Sequence, residues 1–397
     1  MSWEYKTLDQ LGEVSRGRSK HRPRNDPSLF GGKYPFIQTA DVKAANFYIT
    51  EYDTTYNEKG LAQSRLWNPG TLCITIAANI ADTGILAMDA CFPDSVMGFL
   101  PYEGIADVRF VKYCFDILQQ NCKKISQGAA QDNLSWEKLS TILFPAPPIE
   151  VQTKIADILS TYDNLIENNK KQIKLLEEAA QRLYKEWFID LRFPGHETTP
   201  IVDGVPEGWE QNTINSIIDL QSGFAFKSAD FCDSGKYKIV TIKNVQDGLF
   251  EGQNVSRIDD IPARMPAHCR LGDGDILLSL TGNVGRVCVV NGQNYLLNQR
   301  VAKIKSDYTA YAYCLFRSSD MFTAMGNLAN GAAQQNLSPI KTGQIRILIP
   351  PVDLLVRFEV AVSVYMKQML NLNKQIELLQ QARDRLLPKL MSGEIEV

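Results

Sequence analysis

The stretch Arg16-Gly17-Arg18-Ser19-Lys20-His21-Arg22-Pro23-Arg24 places five cations among nine residues. Its glycine and proline keep it out of a regular helix, so it is expected to be a flexible basic loop. Arg and Lys on such a loop suit phosphates, and Arg also reaches guanine edges bidentately. The alternative is a solvated surface loop. The corresponding part of the second half, Ser222-Gly223-Phe224-Ala225-Phe226-Lys227, offers the single cation Lys227 and two aromatics. Further polar candidates are Gln38 and Thr39 against Lys243 and Asn244, Asn79 against Asn283, Arg286, and Arg300 of the run Asn298-Gln299-Arg300. Asn and Gln read adenine bidentately from the major groove, although a turn or capping role fits each one as well. Gln131 and Asn133, repeated as Gln334 and Asn336, are divided between backbone contact and a tight turn into a helix.

Catalytic chemistry is poorly represented. The two Pro-Pro sites, Ala146-Pro147-Pro148-Ile149 and Ile349-Pro350-Pro351-Val352, lack the polar and aromatic neighbours of an amino-methyltransferase loop. There is no G-x-x-x-x-G-K-[ST], HExxH or G-x-S-x-G. The glycine-rich Gly282-Asn283-Val284-Gly285-Arg286 has no lysine and reads as a structural turn. His21, His196 and His268 are far apart, without metal-ligand spacing. The expectation is a non-catalytic chain that binds no metal.

The elements that must position these residues occur twice. Gly128-Ala129-Ala130-Gln131-Asp132-Asn133-Leu134-Ser135 returns 203 residues later as Gly331-Ala332-Ala333-Gln334-Gln335-Asn336-Leu337-Ser338, with seven of eight residues identical. The same offset carries Pro147-Pro148 onto Pro350-Pro351. After each Pro-Pro, apolar residues recur in alternating steps of four and three. The first seam is Ile155, Leu159, Tyr162, Ile166, Asn169, Ile173, Leu176, Ala180, Leu183 and Trp187. The second is Phe358, Val362, Tyr365, Met369, Leu372, Ile376, Leu379, Arg383, Leu386 and Leu390. These are heptad seams, expected to pack on each other as an antiparallel pair with one module at each end. Asn169 and Arg383 are their polar members, the kind of residue that sets register. The stretch 155–187 would span roughly 48 Å at about 1.5 Å per residue.

Each half opens on Trp-Glu (Trp3-Glu4, Trp209-Glu210), with an amphipathic run that reads as a short helix ending at Gly17 or Gly223. Strand-like pieces follow at 34–42 and 237–245, then at 70–79 and 274–283. The halves diverge most between these strands, as two scaffolds with different recognition surfaces would. The expected fold is mixed α/β: module one at 1–150, spacer helix 151–193, linker 194–208, module two at 209–351, spacer helix 352–390 and tail 391–397.

Composition limits the reading further. The 397 residues are 44% hydrophobic and 22% charged, as in an ordinary soluble protein. No signal peptide or membrane span is read, and eight scattered cysteines without a CxxC pair suggest free thiols in a reducing cytoplasm. A net charge of −3 and a pI near 5.8 argue against a strong stand-alone nucleic-acid binder. Any DNA role rests on local patches or on partners.

The layout resembles the specificity subunit of type I restriction-modification systems over essentially the whole chain. The residues that carry the likeness are the two Gly-x-x-Gln-x-Asn-Leu-Ser segments running into Pro-Pro and a long helix, and the junction Trp187-Phe188-Ile189-Asp190-Leu191-Arg192-Phe193-Pro194-Gly195-His196-Glu197. The restart Pro206-Glu207-Gly208-Trp209-Glu210 and the ending Leu387-Pro388-Lys389-Leu390-Met391-Ser392-Gly393-Glu394-Ile395 complete it. The resemblance implies two target-recognition domains reading the halves of a bipartite, asymmetric site in double-stranded DNA, with an antiparallel coiled coil setting the gap. It implies two methyltransferase subunits that bring S-adenosylmethionine, restriction subunits that use ATP with Mg2+, and no catalysis by this chain. The alternatives are a coiled-coil scaffold or regulatory protein that binds other proteins, and a fused enzyme with an unrecognised nuclease site.

Overall fold

A computed structural model describes residues 3–76, 82–125, 136–253, 255–329 and 335–397, without the side chains of 120–125 and 136. The chain forms two compact units. Unit 1 joins Met1–Asn168 to Glu377–Val397, and unit 2 is Asn169–Ile376. The division runs through both long helices, so the last turns of the chain belong with the first module.

Unit 1 is built on a five-stranded sheet in the order Gly12–Arg16, Val96–Pro101, Leu72–Thr75, Thr83–Leu86, Tyr48–Ile49. All neighbours are antiparallel except the last pair. Leu72–Thr75 and Thr83–Leu86 are buried at every residue, the pattern of strands covered on both faces. One core joins Phe99 of the sheet, Phe110 and Phe115 of helix Val108–Ile125, Ile155 and Leu159 of the first long helix, and Leu387 and Leu390 of the second. A second core gathers Ile37, Trp67, Leu86 and Phe92.

Unit 2 repeats the framework with its own sheets. One runs Asp219–Ser222, Val301–Lys305, Ile276–Ser279, Val287–Val289; the other runs Ser256–Ile258, Tyr237–Val240, Tyr295–Leu297, Arg270–Leu271. The duplication reaches the level of register. Glu4–Lys6 pairs antiparallel with Phe144–Ala146, and Glu210–Thr213 pairs in the same sense with Arg346–Ile349.

The long helices span Ile149–Tyr184 and Val352–Met391, each starting directly after its Pro-Pro. Proline there imposes a helical φ and lacks only an N–H that the first turn leaves unpaired. The first helix continues into a wider π-type turn over Lys185–Ile189. Within each unit the helices pack antiparallel. In unit 1, Asp163 meets Arg383 while Ile155 and Leu159 share a core with Leu387 and Leu390. In unit 2, Asn169 Nδ2 donates to Gln375 Oε1 at 3.2 Å while Tyr184 and Trp187 pack on Phe358. Every seam residue is buried or half-buried.

Three local readings need correction. The stretch 34–42 is not one strand: the strand ends at Phe36 and a helix runs from Thr39 to Ala44. The cause is a capping box, in which the Asp41 carboxylate accepts the Gln38 N–H at 2.7 Å. The stretch 237–245 breaks the same way, with the Asn244 side chain capping a 3₁₀ turn at Thr241. The amphipathic run after Trp3 is helical only over Leu8–Leu11 and then becomes strand Gly12–Arg16.

Candidate nucleic-acid interface

In both modules an edge strand ends at a glycine that launches the variable loop. A Cβ on Gly17 would lie 2.3 Å from Pro93 O, and one on Gly223 would lie 2.2 Å from Asn298 O. Only glycine lets the backbone pass so close to its neighbour. The Gly17 N–H donates to Val96 O and the Gly223 N–H to Val301 O, which are equivalent contacts in the two copies.

The loop that follows in unit 1 is folded, contrary to the flexible loop expected. The Arg22 guanidinium donates to Ser19 O at 2.7 Å and His21 O at 2.8 Å, closing the loop on itself. Arg24 pairs with Asp94 at 2.7 Å. The Lys20 and His21 N–H groups both donate to Gln63, and the Ser64 hydroxyl donates to Arg18 O. His21 Nε2 lies 2.7 Å from Asp26 Oδ2. The Ser28 N–H, then the Ser28 hydroxyl and His21, hold the Asp26 carboxyl down to about 2. Carbonyls of the loop itself, Asp26, and the distant Gln63 and Asp94, 42 and 70 positions away, have organised a segment whose glycine and proline suggested flexibility. Arg16, Arg18 and Lys20 remain exposed, with no ion pair or side-chain hydrogen bond among the described residues. Arg16 at the strand end and Arg18 and Lys20 on the hydrogen-bonded loop form a basic patch on this module.

Arg65 joins this region and was missed by sequence reading. Its guanidinium stacks 3.8 Å over the Trp67 ring and donates to Ser15 Oγ at 2.9 Å, beside the strand that ends at Arg16. The Ser15 contact joins residues 50 positions apart, which no local pattern marks, and the guanidinium also lies 3.5 Å from Glu13. Gln38 is exposed at a helix start, its amide donating to Thr54 Oγ1 at 3.2 Å, with half-buried Thr39 following it.

In unit 2 the tertiary structure brings distant candidates to one edge. The Leu280 N–H donates to Arg300 O and the Leu337 N–H to Leu280 O. The Thr281 hydroxyl donates to Asn336 Oδ1 at 3.0 Å. The Gln299 N–H donates to Phe224 O, so the loop leading to exposed Lys227 passes the same edge. Asn283, Lys227 and Arg300 are exposed there, and Asn336 is exposed although its amide oxygen is held by Thr281. Phe224 and Phe226 meet edge to face at 5.2 Å and stiffen the loop.

Other candidates are less free. Asn244 is buried: its Oδ1 accepts the Thr241 N–H at 2.8 Å, and its Nδ2 donates to Glu251 O at 2.8 Å. Both ends of the amide are committed inside the module, so Asn244 is structural rather than base-reading. Arg286 bonds Gln246, whose amide in turn donates to the carbonyl of exposed Lys243. Gly282 and Gly285 of the same turn take φ of 73° and 81°, the left-handed conformation that favours glycine. Asn79, Gln131, Asn133 and Gln334 lie outside the described residues. Among those described, no group of His, Cys, Asp and Glu is arranged to hold a metal, and no helix is long and apolar enough to cross a membrane.

Duplicated α/β modules with non-equivalent polar edges, seated on an antiparallel helix pair, define a two-module recognition protein. A profile described as the type I restriction modification DNA specificity domain matches residues 1–178 and 206–354. The chain belongs to that family, whose specificity subunits recognise DNA and are not themselves catalytic. It is similar to the MjaIX specificity subunit of Methanocaldococcus jannaschii, at 26% identity over 100% of this chain and 94% of the relative. The HindI specificity subunit of Haemophilus influenzae is 22% identical over 97% of this chain and 98% of its own length. Among solved structures, the S subunit of the type I system from M. genitalium shares the fold, with a TM-score of 0.55 at 15% identity, covering 98% of this chain and 96% of that one.

Proposed function

We propose that this subunit reads a bipartite, asymmetric site in double-stranded DNA, one half-site per module. The observation that supports this is the contrast between equivalent loops on one framework. Around Gly17 the chain presents Arg16 at the strand end and Arg18 and Lys20 on the loop, and after Gly223 it presents two aromatics and Lys227 beside Asn283 and Arg300. Identical launching points with different side chains suit two half-sites of different sequence.

Two methyltransferase subunits, carrying S-adenosylmethionine for adenine methylation, are the proposed partners. Restriction subunits with ATP and Mg2+ would join where present, in the cytoplasm. The acidic balance of the chain fits this assembly, because partner subunits enclosing the duplex would supply further positive charge. A gel shift at low salt compares the chain alone with the chain co-expressed with its modification subunits. Specific binding by the assembled form is expected. The reading fails if neither form binds, and the chain's non-catalytic role fails if it cuts or methylates DNA alone. Binding of other proteins without DNA would favour the scaffold alternative.

A further inference from the structure

Helix Val108–Ile125 of unit 1 and helix Thr309–Arg317 of unit 2 share the pair Tyr-Cys, at Tyr113-Cys114 and Tyr313-Cys314. Both tyrosines are almost wholly buried, and each donates its O–H to a carboxylate of the first long helix. Tyr113 meets Asp163 Oδ2 at 2.6 Å, and Tyr313 meets Glu177 Oε1 at 2.8 Å. Each carboxylate is also paired with a guanidinium, from a different source in each unit. Asp163 takes Arg383 of the second long helix, whereas Glu177 takes Arg317 of the module's own helix at 2.6 Å. Asp163 is only 1% exposed, so its charge is tolerated in this one arrangement.

Apolar packing between a module and a helix tolerates small rotations at little cost. A tyrosine–carboxylate–guanidinium set does not, because a shift strands a carboxylate that is buried at Asp163 and largely covered at Glu177, whose Arg317 also pairs with Asp247. We infer that Tyr113–Asp163–Arg383 and Tyr313–Glu177–Arg317 are positioning residues that fix the attitude of each module on the spacer helices and so make the assembled enzyme intolerant of a wrong gap between half-sites. The inference rests on the bipartite reading above. One base pair of gap displaces a half-site by about 3.4 Å along the duplex, and a loosened seat absorbs such a step by a small tilt.

The test uses the full chain co-expressed with its modification subunits. Genomic DNA is sequenced for methylated adenine, and methylated bipartite sites are sorted by gap. The wild type is expected to show one dominant gap. The double variant Tyr113→Phe/Tyr313→Phe keeps both rings and removes both O–H groups. It should keep the half-sites and raise methylation at gaps one base pair longer or shorter roughly tenfold, the scale of one lost hydrogen bond to a charged group. A merely structural role lowers methylation at every gap alike, so an unchanged gap distribution in a methylating double variant overturns the inference. Where the double variant fails to assemble, Tyr113→Phe alone decides on the same readout. If the wild type yields no bipartite sites at all, it is the proposed function that fails.

Discussion

Among the five cations of the basic loop, what matters is the partner of each. Arg22 and Arg24 hold the loop in shape, while Arg16, Arg18 and Lys20 face outward. Replacing Arg18 or Lys20 by Ala should weaken DNA binding of the assembled complex on all sequences. The slope of log affinity against log salt should fall by about one per residue. An unchanged slope in titrations at several salt concentrations would remove that residue from the phosphate contacts. Asn244→Ala should behave in the opposite manner: it leaves a buried N–H and carbonyl unpaired and costs about 1–3 kcal/mol of stability, with the half-site preference intact. Glu359 carries a pH signature. It accepts the Ala310 N–H at 2.8 Å, and burial pushes its carboxyl above the ordinary 4.5 despite those N–H bonds. A raised carboxyl binds its proton more readily folded than unfolded. Its contribution is therefore full below 4.5 and declines as pH rises toward the folded value. Thermal melts should show that decline flattened in Glu359→Gln; an identical pH profile would refute it. Half-buried Asp116 shifts the same way, whereas depressed Asp26 acts in the other window and loses its contribution as pH falls from 3.8 through about 2.

At the scale of elements, the long helices are the best-read part of the chain. Heptad spacing depends on side chains a turn or two apart, so the seam and its Pro-Pro start were legible without tertiary information. The short elements were not. A capping box at Gln38 and another at Thr241 cut the expected strands short and turned their ends into helical turns, since one side-chain acceptor outweighs a few residues of strand propensity. The helix pairing carries its own prediction. One heptad added to each long helix, at the level where Asn169 meets Gln375, should lengthen the spacer by about 10 Å and the gap by about three base pairs. Methylated-site mapping checks this: the half-sites should not change, and altered half-sites at a constant gap would rule out the spacer role.

At the scale of the molecule, the unit boundaries alter how modules can be exchanged. Residues 1–150 looked like a separable domain, yet Leu387 and Leu390 of the C-terminal helix lie in the core of unit 1 with Phe110 and Phe115. Replacing 1–150 alone should change one half-site and also destabilise unit 1, by a few kcal/mol if two large core side chains lose their fit. Exchanging 377–397 together with 1–150 should restore the melting temperature with the same half-site change. If both half-sites change, the modules are not independent.

The amino-acid sequence by itself determined the duplication, the two heptad seams, the mixed α/β class and the contrast between the loops after Gly17 and Gly223, because all of these rest on local spacing and residue type. Only the tertiary structure decided which polar residues are free. It folded the basic loop through Gln63 and Asp94, buried Asn244, stacked Arg65 on Trp67, and brought Asn283, Arg300 and Asn336 to one edge. It also joined Asp163 to Tyr113 and Arg383, 50 and 220 positions away. Contacts over such separations depend on how the sheets and helices pack, which no local pattern encodes.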